Sequence, residues 1–461
     1  MRYNQPGDQP NNPNAPYVDG NPGAGIQGSI VPAAGVEFDQ REIIEVITRA
    51  NVRLYSDFDG VPCGVPSNAD LQQLRKAIEG FITNWAYIIS TEVTFTVHGP
   101  GANFTDLNAA FKYLGKYRIT PTGHVILQLA GAAPGSAQSA QWVYTQGIEI
   151  AHPNNDRISI FGAPMLAPVS RNDTGYAWNG NSSSQRALDL TTNLAVLRTK
   201  FATELHFSGV VPAAVRMGGV ALMHMDGILF TSDGNLSSTG VSFNCSGYMN
   251  TLPRTLAGDT GWAYDGLAAV NFKGKNYSFL GGGFHWDVGA CMAINGETQD
   301  QNFCTPFIAI GNWVGMSCTN GGFVTCNGNC ISLGNDQIGF QLYPRSGTQW
   351  DGGMFINANG GNGIECYLCS TGYISGPLTN GNITTAPSHC FKNAGWGIYL
   401  EETNVSMFCD FGAGANANVS GQIFAGNNAA CQLWGSYANY TPCSPAFGVN
   451  GNNNSMIASG W

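Results

Sequence analysis

GGMFINANGGNGIECYLCSTG, residues 352–372, carries the pattern that decides the fold. Short β-prone runs alternate with turns of Gly and Asn, residues that tolerate the positive φ of tight turns. The same kind of unit recurs in NCISLGNDQIGFQLY (329–343), HCFKNAGWGIYLEETNVSMF (389–408) and VSGQIFAGNNAACQLWGS (419–436). A glycine precedes β-prone residues at Gly339–Phe340, Gly363–Ile364, Gly397–Ile398 and Gly421–Gln422, at intervals of 24, 34 and 24 residues. Repeats in the twenties are each too small to bury a core alone. They predict a mainly β chain of stacked coils, a right-handed parallel β-helix or solenoid, with unequal loops loosening the period. A β-sandwich is the alternative that short strands and turns leave open.

Composition agrees with many strands and turns. Of 461 residues 61 are Gly, only 11% are charged, and 43% are hydrophobic, too many for a disordered chain. Net charge is −10 and no run of Lys or Arg occurs, so nucleic acid is not an expected partner. No stretch of 18 apolar residues occurs, so membrane insertion is not expected. The first twenty residues, MRYNQPGDQPNNPNAPYVDG, hold no apolar signal core. A β-rich chain of extracellular character without a signal is expected to leave the cell another way, of which release by lysis as part of a virus particle is one.

Outward from the repeats, the chain divides into five parts. Residues 1–35, rich in Pro, Gly and Asn, read as an extended arm whose Tyr3, Tyr17, Ile26 and Ile30 offer docking side chains. Residues 36–90 read as helical. Within them Leu71, Leu74, Ile78, Phe81, Trp85 and Ile88 follow the 3-4-3-4-3 spacing of a coiled-coil seam, expected to join copies of the chain. Residues 91–206 read as the opening of the β-helix. Its strands are STEVTFTVHG (90–99), GHVILQLAG (123–131), GIEIAH (147–152) and RISIFGA (157–163). Among them FTDLNAAFKYLGKY (104–117) reads as a short helix, with Thr105 as its cap and Gly115 at its end. Its apolar face, Leu107, Ala110, Phe111 and Leu114, is expected to cap the first coil. A further helix is expected within 188–206. Residues 207–445 form the body and 446–461 a C-terminal tail.

Thirteen cysteines are present; Cys63 stands apart and twelve fall between Cys245 and Cys443. Cys369, Cys390, Cys409 and Cys431 are 21, 19 and 22 residues apart, close to one coil each. They are expected either to stack as an inward ladder or to form disulfides. The pairs Cys326/Cys330 and Cys366/Cys369 lie too far apart for a zinc ribbon, so no metal and no cofactor is expected.

Chemistry on such a body would involve carbohydrate. Trp286, Trp350 and Trp396 are candidate stacking surfaces. Glycoside hydrolysis needs two carboxylates, and Glu365, Glu401 and Asp287 are candidates. Glu365 and Glu401 follow comparable Gly-containing strands, which would bring them near one another. In His285–Trp286–Asp287, alternation turns Trp286 away from its neighbours. No GxSxG, HExxH, Walker A or EF-hand motif occurs.

Two regions resemble bacteriophage tail proteins. NAPYVDGNPGAGIQGSIVPAAGVEFDQREIIEVI (14–47) with PSNADLQQLRKAI (66–78) resembles the particle-proximal region of phage and prophage tail fibres. FTDLNAAFKYLGKYR, GHVILQLAG and IEIAHPNNDRISIFGA are similar to the start of tailspike β-helices, where a short helix precedes the first coils. The resemblance implies a homotrimer located on the virion tail and extracellular after host lysis. Its N-terminus would dock on tail or baseplate proteins, and its body would bind a host cell-surface polysaccharide. Some relatives of that kind degrade capsule, exopolysaccharide or lipopolysaccharide. Binding is the favoured role, and an enzyme of this architecture would be a glycan depolymerase. The family shares no universal catalytic motif.

Overall fold

A computed structural model describes residues 22–24, 87–167, 177–250 and, with gaps, 266–459. The chain separates into residues 1–88 with 116–118, and residues 89–115 with 119–461; the second unit holds the β structure described below. Leu71, Leu74, Ile78, Phe81, Trp85 and Cys63 lie outside the described residues. Ile88 does not sit on a helix: it is exposed in the strand Tyr87–Ile89. Among the described residues no helix is long and apolar enough to cross a membrane.

The fold is mainly β, with two α-helices among the described residues. Its strands fill three long parallel sheets in rotation. Cys330–Leu333 belongs to sheet II, Phe340–Leu342 to sheet III and Gly347–Trp350 to sheet I. The next strand, Met354–Asn357, returns to sheet II and pairs with the first, Cys330 opposite Met354, 24 residues on. The rule holds through Phe340 opposite Ile364, then Ile364 opposite Ile398. Each circuit therefore contributes one strand to each sheet, and no circuit buries its own core. Three of the glycine-marked strand starts are in register. At the fourth, Ile423 rather than Gln422 lies opposite Ile398, so the equivalent position is Gln422 and Gly421 stands one residue early.

Period-2 alternation sends one residue of each pair inward. In sheet III Trp286, Cys318, Leu342, Cys366, Leu400 and Ala425 are successive register partners, all buried. An asparagine ladder ties the turns between sheets II and III. The Oδ1 of Asn335, Asn359, Asn393 and Asn418 accepts the backbone N–H of the preceding ladder asparagine at 2.9–3.1 Å. The amides of Asn335, Asn359 and Asn393 each donate to the next Oδ1 at 2.8 Å. Glycines follow at close quarters because a Cβ on Gly339 or Gly363 would lie 2.7 Å from the Nδ2 of Asn359 or Asn393. Glycine thus recurs here to let the next coil's asparagine pass.

The helix α1, Leu107–Leu114, buries Leu107, Ala110, Phe111 and Leu114 and lies against Ile148–Ile150, the first strand of sheet III. Its N-cap is Asp106 rather than Thr105: the Asp106 Oδ1 accepts the Ala109 N–H at 2.8 Å. Tyr144 accepts the Leu107 N–H, and Asn108 donates to the Gly147 carbonyl, so the first coil is tied to the helix start. The second helix, α2, is Ser183–Arg198, capped by Ser182. It starts five residues earlier than expected, and Thr203–Phe207 is a strand of sheet II. Leu190, Leu194 and Leu197 of α2 pack on one face of sheet II, on the register column Leu229, Ala268, Ile308, Ile331 and Phe355. Under α2 sheet II is therefore covered on both faces, and Leu267–Val270 and Phe307–Ile310 there are unbroken apolar runs.

The spacing of Cys390, Cys409 and Cys431 does not make a column. Cys409 is in sheet II, Cys431 in sheet I, and Cys390 follows the strand Ser388–His389. The loops between them differ in length, so equal spacing falls on different faces. All three are buried, as are Cys245, Cys318, Cys330 and Cys366; Cys369 lies outside the described residues.

Candidate functional site

With sheet II covered by α2, the outward face of sheet III gathers the polar and aromatic side chains that the core does not take. Four strands build it: Phe340–Leu342, Ile364–Tyr367, Trp396–Glu401 and Gly421–Gly426. In Ile364–Tyr367, Ile364 and Cys366 point inward, so Glu365 and Tyr367 share the outward face. Alternation does the same for Tyr399 and Glu401. Register then sets two columns. Gln341, Glu365, Tyr399 and Phe424 form the first. In the second, Tyr367 lies opposite Glu401.

The rings run along these columns. Tyr343 and Tyr367 have centroids 5.0 Å apart, Tyr367 and Tyr399 5.4 Å, and Tyr399 and Phe424 4.5 Å with nearly parallel planes. Only the last pair is stacked face to face; the other two are tilted, at 46° and 40°. Trp396 is arranged differently. Its six-membered ring lies where a Cβ at Gly421 would sit, with Cε3 2.8 Å from that position, and Gly421 has φ +142°. Glycine lets the indole lie on the backbone, and Trp396 remains half-buried beside Phe424 at 5.5 Å.

The two glutamates are held by different donors. Tyr343 donates to Glu365 Oε1 at 2.7 Å and Asn362 Nδ2 to Oε2 at 2.6 Å. Tyr399 donates to Glu401 Oε1 at 2.7 Å. The Asn362 Oδ1 also accepts the Trp396 backbone N–H at 2.8 Å, tying the start of that strand to the residue that holds the Glu365 carboxyl. Glu365 is 8% exposed, and burial raises its pKa above the usual carboxylate range against its hydrogen bonds; the Glu401 charge pushes the same way. Burial and the bond to Glu401 push Tyr399 up to about 12. As diagonal neighbours on adjacent strands, Glu365 and Glu401 have Cα atoms roughly 8 Å apart. Among the described residues neither glutamate has an ion-pair partner.

Of the residues expected to act, Glu365 and Glu401 are thus on one face, and the half-buried Trp396 ring stands at its edge beside Phe424. Trp286 and Trp350 are not on it: both are fully buried, Trp286 stacked on Phe243 at 5.2 Å, so neither can meet a sugar. Inward alternation put them there. Asp287 lies outside the described residues. Tyr343, Tyr367, Tyr399, Phe424 and Asn362 are the members that sequence reasoning missed.

Two other clusters have catalytic connectivity without catalytic access. His124 Nε2 is 2.8 Å from Ser159 Oγ, and its Nδ1 is 3.0 Å from Glu92 Oε2. Ser159 is 1% exposed while Glu92 is open to solvent, the reverse of what an attacking serine requires. His206 bridges Thr231 and Asp233, but Thr231 is equally buried. Both clusters clasp neighbouring strands. Among the described residues no group of three His, Cys, Asp or Glu side chains is placed to hold a metal ion. Comparison with protein-family models, curated proteins and solved structures finds no match for this chain.

Proposed function

We propose that this chain is a tail fibre or tailspike of a virus particle that binds a host cell-surface polysaccharide through the outward face of sheet III. The body is read as a right-handed parallel β-helix. That hand follows from the near-universal right-handedness of crossovers between parallel strands, and the rotation of strands through three sheets supports the coil. Residues 1–90 attach the fibre to tail or baseplate proteins and assemble the homotrimer, a reading supported by their resemblance to tail-fibre N-termini.

One observation carries the binding role: Trp396 lies flat on Gly421 at the end of an aromatic and carboxylate ladder that spans four coils. A long polymer meets a long surface, an indole face suits a pyranose ring, and Glu, Asn, Gln and Tyr oxygens and amides suit its hydroxyls. The test is retention of host cells or their purified polysaccharide by the full chain. Trp396→Ala and Tyr399→Ala should each lose binding with unchanged melting. Undiminished binding by both would refute this site.

A second reading is glycan depolymerisation at the same face. It is favoured by Glu365 and Glu401 on adjacent strands, one buried with raised proton affinity and the other half-exposed. Glu365 would donate the proton to the leaving oxygen, and Glu401 would serve as base or nucleophile. Release of reducing ends from host polysaccharide, abolished in Glu365→Gln while binding persists, would establish it. Absence of any cleavage leaves the binding role alone.

A further inference from the structure

We infer, resting on the glycan-binding reading, that the sheet III face selects glycans carrying no anionic group over the bound segment. Among the described residues the charged groups on or beside this face are few. Glu365 and Glu401 project from its two central strands, and Glu402 is exposed in the following turn. The flanking strands add Gln341, Tyr343, Phe424 and Gly426, none of them cationic. Of the neighbouring cations, Lys392 lies over the Trp178 ring at 5.1 Å, beside sheet II. Arg345 is exposed in the turn beyond Tyr343 and has no ion pair with either glutamate among the described contacts.

Recognition of uronate, sialate, phosphate or sulfate relies on Arg or Lys, which neutralise the charge and supply forked or multiple N–H donors. This face has the opposite equipment. Its glutamate oxygens accept hydroxyl protons, its amides donate to ring and hydroxyl oxygens, and its phenols are held in their protonated form. An anionic glycan laid along the ladder would bring like charge against the half-exposed Glu401 and the exposed Glu402 while desolvating them. A neutral one exchanges hydroxyl–water bonds for hydroxyl–carboxylate bonds.

The experiment applies the full chain to an array of bacterial surface polysaccharides, neutral and anionic, beside Tyr399→Ala and Glu401→Gln. Both variants are first checked for unchanged melting. The expected result is signal on neutral glycans only, weakened about ten-fold or more by Tyr399→Ala. Glu401→Gln should raise signal on anionic glycans relative to neutral ones. Tyr399-dependent binding of the unmodified protein to anionic glycans would overturn the selectivity and leave the binding reading standing. No Tyr399-dependent signal on any glycan would overturn the binding reading, and the selectivity with it.

Discussion

Replacing Asn359 by Ala tests whether the asparagine ladder holds the coils in register. Asn359 is fully buried and its side chain makes three ladder bonds. Its Oδ1 accepts the Asn335 N–H at 3.0 Å and the Asn335 Nδ2 at 2.8 Å, and its Nδ2 donates to Asn393 Oδ1 at 2.8 Å. The losses are unequal. Asn335 Nδ2 keeps Ser332 Oγ at 2.9 Å, and Asn393 Oδ1 keeps the Asn359 N–H at 3.1 Å. The Asn335 backbone N–H is left with no acceptor. One stranded buried donor costs about 1–3 kcal/mol, and each of the other two bonds about 0.5–1.5 kcal/mol. The expected loss is therefore about 3 kcal/mol, read from urea denaturation. Asn416→Ala, at an exposed asparagine in the turn Gly414–Asn416, is the control and should change stability by less than about 0.5 kcal/mol. If Asn359→Ala costs no more than Asn416→Ala, the ladder is incidental and the account of the recurring Asn and Gly fails.

Four further outcomes are expected. Phe111→Asp places a charge under α1 and should cost several kcal/mol, seen as lost hydrogen-exchange protection in Ile148–Ile150; retained protection there would refute the capping role. Gly421→Ala puts a methyl where the Trp396 ring lies, so tryptophan emission should shift and glycan binding fall; an unchanged spectrum would refute the placement of the indole. Glu204 is buried, which works to raise its pKa, but bonds from Arg198, Gln141 and Thr231 prevail and lower it. Its stabilisation is present above the unfolded value near 4.3 and is lost as pH falls through the folded value, so Glu204→Gln should flatten the acid limb of a stability–pH curve. Glu365 has the opposite sign: its contribution is complete below about 4.3 and is lost as pH rises through its raised value, so Glu365→Gln should flatten the decline on that side.

The coil was legible because its cause is local. A glycine admits the neighbouring asparagine, a short alternating strand follows, and both recur, with one longer interval of 34 residues among intervals near 24. The face of α1 was legible for the same reason, since i, i+3, i+4, i+7 needs no knowledge of the rest of the chain. The cysteine column failed because spacing alone does not say which of three sheets a residue lands in, and loops such as the one between Ile374 and Ser388 shift the count. Trp286 and Trp350 are not sugar platforms because the register turns both into the core, and which side of a strand is inward is not set by the strand's own sequence. With the register anchored, GFQLY, GIECY, GIYLE and QIFAG stack as four rows. Their third positions are then Gln341, Glu365, Tyr399 and Phe424, and their fifth are Tyr343, Tyr367, Glu401 and Gly426. The site could have been read from those rows. Only the flat indole on Gly421 and the bridging by Asn362 required coordinates.

The division of labour among the faces follows from what covers them. In sheet II, α2 seals the outward column from Leu229 to Phe355, and that packing contributes stability. The outward side of sheet III has no such helix among the described residues. There its tyrosines and glutamates satisfy one another's hydrogen bonds across coils, as an uncovered face must if it is to stay in register without a packed layer. That mutual satisfaction fixes the carboxyls and the indole before any ligand arrives, which lowers the ordering cost of binding. It also explains why Glu365 tolerates burial: its proton affinity rises, and Tyr343 and Asn362 hold it in place in either protonation state. A variant that frees the carboxyl, Tyr343→Phe, should therefore weaken binding by loosening Glu365 although Tyr343 is three coils from Phe424. If Tyr343→Phe binds host polysaccharide as the unmodified chain does, preorganisation along the ladder is not what the face provides.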